Sequence, residues 1–94
     1  MALDRSSDIP LGVQLGWALR ARILGGELTP GDQLPGVREL AADTGVNINT
    51  VRAVFARLQA EGLIRSEHGR GTFVNEAAPV DERLAAVVRR AVDE

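Results

Sequence analysis

The stretch Val37-Arg38-Glu39-Leu40-Ala41-Ala42-Asp43-Thr44-Gly45-Val46-Asn47-Ile48-Asn49-Thr50-Val51-Arg52-Ala53-Val54-Phe55-Ala56-Arg57-Leu58 decides the fold. Val37, Leu40 and Ala41 share one face of a short helix, expected over about Gly36–Thr44, with Arg38, Glu39 and Asp43 outside it. Gly45 ends that helix, because glycine tolerates the left-handed backbone of a helix C-terminus. After Gly45-Val46-Asn47 a second helix is expected over about Ile48–Glu61. It buries Val51, Val54, Phe55 and Leu58, and Asn47 is its N-cap. Two helices joined by so tight a glycine-bearing turn form a helix-turn-helix, whose second helix can enter the major groove of DNA.

Upstream, Leu11, Leu15, Leu19 and Ile23 repeat every four residues. This predicts an amphipathic helix from Pro10 to about Leu24, with Trp17 and Ala18 beside the stripe, Asp8 as N-cap and Gly25-Gly26 as the stop. Glu27–Pro35 reads as a connector, with the turn signal Pro30-Gly31 and the anchors Leu28 and Leu34. Downstream, Gly62 closes the third helix. Leu63–Glu67 and Gly71–Asn75 read as two short strands around the tip His68-Gly69-Arg70-Gly71. From Pro79 the helical period returns, with Val80, Leu84, Val87, Val88 and Ala91 on one side. The expected architecture is mostly α with a small β-hairpin: a winged helix-turn-helix of three helices plus wing, and a short C-terminal helix. The domain spans residues 1–78. Residues 79–94 are either a dimerisation element, a helix folded back beside Leu11, Leu15 and Leu19, or the start of a second domain.

Composition bounds this reading. Ninety-four residues, 45% of them hydrophobic, make one small core. Three aromatics, Trp17, Phe55 and Phe73, leave that core to Leu, Val, Ile and Ala, which suits short helices better than a β-sandwich. With no cysteine there is no disulfide and no thiolate metal site, which fits a reducing compartment. No apolar run approaches the roughly 20 residues that cross a bilayer, and Met1–Asp8 does not read as a signal peptide. The expectation is a soluble, cytoplasmic protein that engages no membrane.

The formal charge of −2 argues against loose, charge-driven binding to nucleic acid. The excess acid lies outside the middle of the chain: residues 34–75 carry five arginines against four acids. All eleven basic residues are arginine, the side chain that contacts phosphate and guanine bidentately. On the third helix, subtracting the buried face leaves Asn49, Thr50, Arg52, Ala53 and Arg57. The first three cluster at its N-terminal end. Asn can pair with adenine, Arg with guanine O6 and N7, and Thr with phosphate or a thymine methyl. At the hairpin tip, His68 and Arg70 flank Gly69, whose bare backbone permits close approach to a phosphate or the minor groove.

Four ordered motifs resemble the GntR family of bacterial transcription regulators: Leu34-Pro35-Gly36-Val37-Arg38-Glu39-Leu40-Ala41, Gly45-Val46-Asn47-Ile48-Asn49-Thr50-Val51-Arg52, Glu61-Gly62-Leu63-Ile64 and Gly69-Arg70-Gly71-Thr72-Phe73-Val74. The resemblance extends over about residues 10–75. It implies a winged helix-turn-helix that binds palindromic operator DNA as a homodimer, usually repressing transcription. It places Arg38, Asn49, Thr50, Arg52, His68 and Gly69 at positions that contact DNA in the family. Arg70 joins them from its place at the tip. The chain departs from the family at Asn47-Ile48, where many members have Ser or Thr followed by Arg, so one base-reading arginine is missing. Gly36 stands where Ser or Ala is frequent. The form Asn47-x-Asn49-Thr50-Val51 is similar to the short-tailed YtrA-like subgroup. Residues 79–94 cannot build an effector pocket, and no effector is identified.

An enzyme lacks parts here. There is one His, no Cys, no phosphate-binding glycine loop with lysine and no carboxylates at metal-ligand spacing, while Glu39, Asp43 and Glu61 read as solvated. Neither metal nor cofactor is expected. The stronger rival is a winged helix that has lost DNA binding and serves protein–protein interaction, which the acidic balance favours and the exposed Arg38, Arg52 and Arg70 oppose.

Overall fold

A computed structural model describes residues 3–76 of the chain. The element order is α1 (Leu11–Leu24), α2 (Val37–Thr44), α3 (Ile48–Ala60), β1 (Ile64–Glu67) and β2 (Gly71–Val74). This is the expected winged helix-turn-helix, with boundaries within a residue of those read from the sequence. The C-terminal helix expected from Pro79 lies outside the described residues.

The four-residue repeat of α1 does what its period requires. Leu15, Leu19 and Ile23 are buried, and with Val51, Phe55 and Leu58 of α3 they form the centre of the core. Leu40 of α2, Leu34 and Val46 from the connections, and Leu63, Ile64 and Val74 from the wing root close it. Each of these larger side chains removed from water contributes about 1.5–3 kcal/mol, so one cluster joins every element. Trp17 on α1 stays 55% exposed, so the largest side chain adds little to the core.

Helix α2 ends at Gly45, whose φ of +72° is left-handed and whose N–H donates to the Ala41 carbonyl at 2.9 Å. A side chain at that φ would cost about 1 kcal/mol or more, so glycine is dictated by the turn. Thr44, the one buried polar residue among those described, donates its hydroxyl to the Leu40 carbonyl at 2.7 Å and accepts from Val46 N–H at 3.3 Å. Helix α3 then starts on Asn47, whose side-chain oxygen accepts from Asn49 N–H at 2.8 Å. The expected N-cap is present there. At α1 the outcome differs. Pro10 holds the cap position without a side-chain bond, and Asp8 lies too far upstream to cap.

Strands β1 and β2 pair antiparallel, with Ile64 opposite Val74 and Glu67 opposite Gly71. The connector read as a loop is a third rail of this sheet. Gln33 bridges Phe73, Leu34 N–H donates to the Thr72 carbonyl at 2.8 Å, and Val74 N–H donates to the Asp32 carbonyl at 2.8 Å. These bonds satisfy the outer edge of β2 and fasten the wing to the helical body. Pro30, Gly31 and Pro35 hid the short extended run between them, since both residue types mark breaks in a strand pattern.

Candidate nucleic-acid interface

The N-terminal end of α3 carries the first group of candidate residues. With Asn47 occupied in capping, Asn49 and Arg52 stand exposed one turn apart, and Arg52 Nη1 donates to Asn49 Oδ1 at 3.3 Å. Thr50 points elsewhere. It is half-buried on the flank facing α1, where its methyl lies so near Gly12 that a Cβ there would stand 2.6 Å from Thr50 Cγ2. Gly12 thus lets the two helices approach at the height of Asn49 and Arg52. Along the same seam runs a groove of about 290 Å³, lined by Pro10, Val13, Trp17, Thr50, Val54 and Arg57. Ile48, where the family's arginine is absent, is half-buried.

Arg38 is exposed in the first turn of α2, behind Gly36, which offers no side-chain cap. The first N–H groups of α2 therefore have no side-chain acceptor, which suits a phosphate oxygen. Among the described residues neither the Arg38 nor the His68 side chain has a hydrogen-bond or ion-pair partner.

The wing tip is more organised than its sequence suggests. Arg70 N–H donates to the Glu67 carbonyl at 3.0 Å, closing a turn in which Gly69 has φ +74°. Nothing lies within 4 Å of a would-be Cβ on Gly69, so the backbone angle, not crowding, selects glycine. The Glu67 carboxylate takes one arginine on each oxygen: Arg65 Nε at 2.9 Å and Arg70 Nη1 at 3.0 Å. Both guanidiniums lie over the Phe73 ring, at 5.5 and 5.6 Å from its centroid. Arg65 also donates to the Val74 carbonyl at 2.9 Å and Gln33 Nε2 to the Arg70 carbonyl at 3.2 Å. Arg70 nevertheless keeps 72% of its side chain in solvent. The tip therefore presents an oriented arginine beside an open backbone, while His68 is exposed without such support.

The structure thus gathers five of the seven candidates into two clusters and leaves two apart. Asn49 and Arg52 form the first, and Gly69, Arg70 and His68 share the wing tip. Arg38 stands alone, and Thr50 sits at the α1–α3 seam. Sequence reasoning missed Arg65, Glu67 and Gln33, which hold the tip in shape. The first two were legible as an i, i+2 pair on one strand face, whereas Gln33 carried no signal. Glu61, read as solvated, is paired. Arg20 grips it with Nε to Oε1 at 2.8 Å and Nη2 to Oε2 at 2.6 Å. That hydrogen-bonded arginine holds the Glu61 carboxyl below the ordinary glutamate range. Among the described residues no three His, Cys, Asp or Glu side chains are grouped as a metal site. No described helix is long and apolar enough to cross a membrane.

Residues 11–74 match the family model of bacterial regulatory proteins, gntR family. Among curated relatives, the HTH-type transcriptional regulator YhcF of Bacillus subtilis is 35% identical over 92% of this chain and 71% of its own length. The HTH-type transcriptional repressor YtrA of the same bacterium is 40% identical over 81% of the chain and 58% of its own. Other relatives are far longer, the chain spanning 16% of the probable rhizopine catabolism regulatory protein MocR of Rhizobium meliloti. Among solved structures, YtrA from Sulfolobus acidocaldarius, a GntR-family transcription factor, superposes with TM-score 0.72 at 33% identity, covering 99% of this chain and 82% of that one. The AraR DNA-binding domain in complex with operator ORE1 gives TM-score 0.67 at 30% identity, covering 78% and 89%. With its three helices, wing and ordered motifs, the chain belongs to the GntR family of bacterial regulatory proteins.

Proposed function

We propose that this chain reads double-stranded operator DNA as a homodimer and represses transcription in the cytoplasm, acting as a DNA-binding regulator and not as an enzyme. The observation that carries the reading is the capped N-terminus of α3, where Asn49 and Arg52 stand exposed as a coupled pair. Such a pair offers donors and an acceptor to base edges in the major groove. Arg38 on α2 and Arg70 with Gly69 on the wing then serve as phosphate or minor-groove contacts on either side. The operator-bound AraR domain and the repressor YtrA support this by likeness. The reading unit is residues 1–78, and residues 79–94 supply a dimerisation element.

Selection of bound sequences from a random duplex pool tests the proposal. A specific, pseudo-palindromic site is expected, with binding lost in the chain carrying Arg38→Ala, Arg52→Ala and Arg70→Ala together. Equal affinity of wild type and triple mutant for every duplex would overturn it in favour of a winged helix devoted to protein–protein interaction.

A further inference from the structure

The segment ahead of α1 is fastened to the body at several points. Leu3 packs against the core. Asp4 N–H donates to Gln14 Oε1 at 2.7 Å, and Gln14 Nε2 donates back to the carbonyls of Asp4 and Ile9, both at 2.8 Å. Ser6 donates its N–H and hydroxyl to Asp4 Oδ1 at 3.0 and 2.6 Å. From this anchored arm Arg5 crosses to a distant element: its Nη2 donates to the Thr44 carbonyl at 2.8 Å.

Thr44 is the last residue of α2, and a helix end leaves its final carbonyls without intrahelical partners. A cation there also faces the negative end of the helix dipole. The next residue is Gly45, where any Cβ would collide with the Arg5 guanidinium, so that group lies directly over the turn. Three residues later α3 begins. Arg5 therefore touches the one joint that sets the angle between the two helices of the helix-turn-helix.

We propose that Arg5 is a positioning residue for DNA reading: it locks the α2–α3 turn and thereby the tilt at which Asn49 and Arg52 are presented. The functional part of this inference rests on the DNA-reading proposal above. Base readout needs both helices in one fixed relation, whereas phosphate binding to any sequence tolerates a looser one. Loss of Arg5 therefore weakens operator binding more than binding to random duplex.

The test uses the full chain with Arg5→Ala, Arg5→Lys or Gln14→Ala, the last freeing the arm while keeping the arginine. Amide hydrogen exchange of Gly45, Val46 and Asn49 is read on DNA-free protein. Affinities for operator and random duplex are then measured across a salt series. In Arg5→Ala, exchange at the turn should rise about tenfold while the Leu58 amide is unchanged. Gln14→Ala should move it in the same direction. Arg5→Lys, which keeps a cation and a donor, should restore most of the protection. Operator affinity should fall about five- to tenfold in Arg5→Ala, with little change on random duplex and an unchanged salt slope. Unchanged protection at the turn would overturn the inference. So would a salt slope shallower by about one, which would make Arg5 a phosphate contact. If the wild type selects no DNA, the DNA-reading proposal fails by itself, and the exchange comparison still decides whether Arg5 holds the turn. Should Arg5→Ala not fold, Arg5→Lys and Gln14→Ala carry the same comparison.

Discussion

Arginine is the only cation this chain uses, and the structure gives its arginines different tasks. Arg52 stands beside Asn49 at the N-terminal end of α3, Arg38 is exposed on α2, and Arg70 is held by Glu67 over Phe73. Arg52→Ala is expected to cost about 1–3 kcal/mol on the selected operator and to relax preference at one base position. Arg38→Ala and Arg70→Ala should weaken binding evenly across sequences and flatten its salt dependence. Titrations on operator and single-base variants separate the two behaviours. Most of these residues could be named from the sequence because helical period assigns a face: once Val51, Phe55 and Leu58 are set inside, Asn49 and Arg52 must lie outside. Thr50 shows where that logic stops. Periodicity put it on the open face, but the absent side chain of Gly12 lets α1 close over it, and a neighbour's size is not part of a helix's own period.

At the scale of elements, the α1–α3 contact depends on that glycine. Gly12→Ala places a methyl against the stiff, β-branched Thr50, so either Thr50 turns or the helices separate. Overpacking of this kind costs about 1–3 kcal/mol. Urea unfolding should show the loss, and operator affinity should fall with it. The same two helices are tied farther along by Arg20 and Glu61. Because the folded pKa of Glu61 is lowered, its pairing stabilises the fold at pH values above the ordinary glutamate range and is lost as pH falls through the folded value. Both groups are partly in water, so the gain is small. Thermal melts of wild type and Glu61→Gln should therefore differ at about pH 7 and converge as pH falls below the lowered folded value. The helix ends were readable at Gly45 and Asn47, where one residue's chemistry settles the geometry. The pairing of Asp32–Leu34 with β2 was not, because a third rail is defined by its partner strand and by no pattern of its own.

For the whole molecule, charge and architecture point the same way. With a net charge of −2, overall attraction does little to hold an arbitrary duplex, and binding depends on a few placed arginines. A dimer with two reading heads should leave a footprint whose half-sites lie about one helical turn apart, with weak protection elsewhere. Nuclease footprinting at moderate salt checks both. A single half-site, or general protection of flanking sequence, would contradict the dimeric reading.

Trp17, left half in water on α1, also makes the molecule its own optical gauge. The chain has no tyrosine, so its near-ultraviolet emission comes from one indole. Emission from the folded state should already be red-shifted and open to iodide. Melting the core would then scarcely change the colour, whereas anything that settles in the α1–α3 groove beside Trp17 would shift it to the blue.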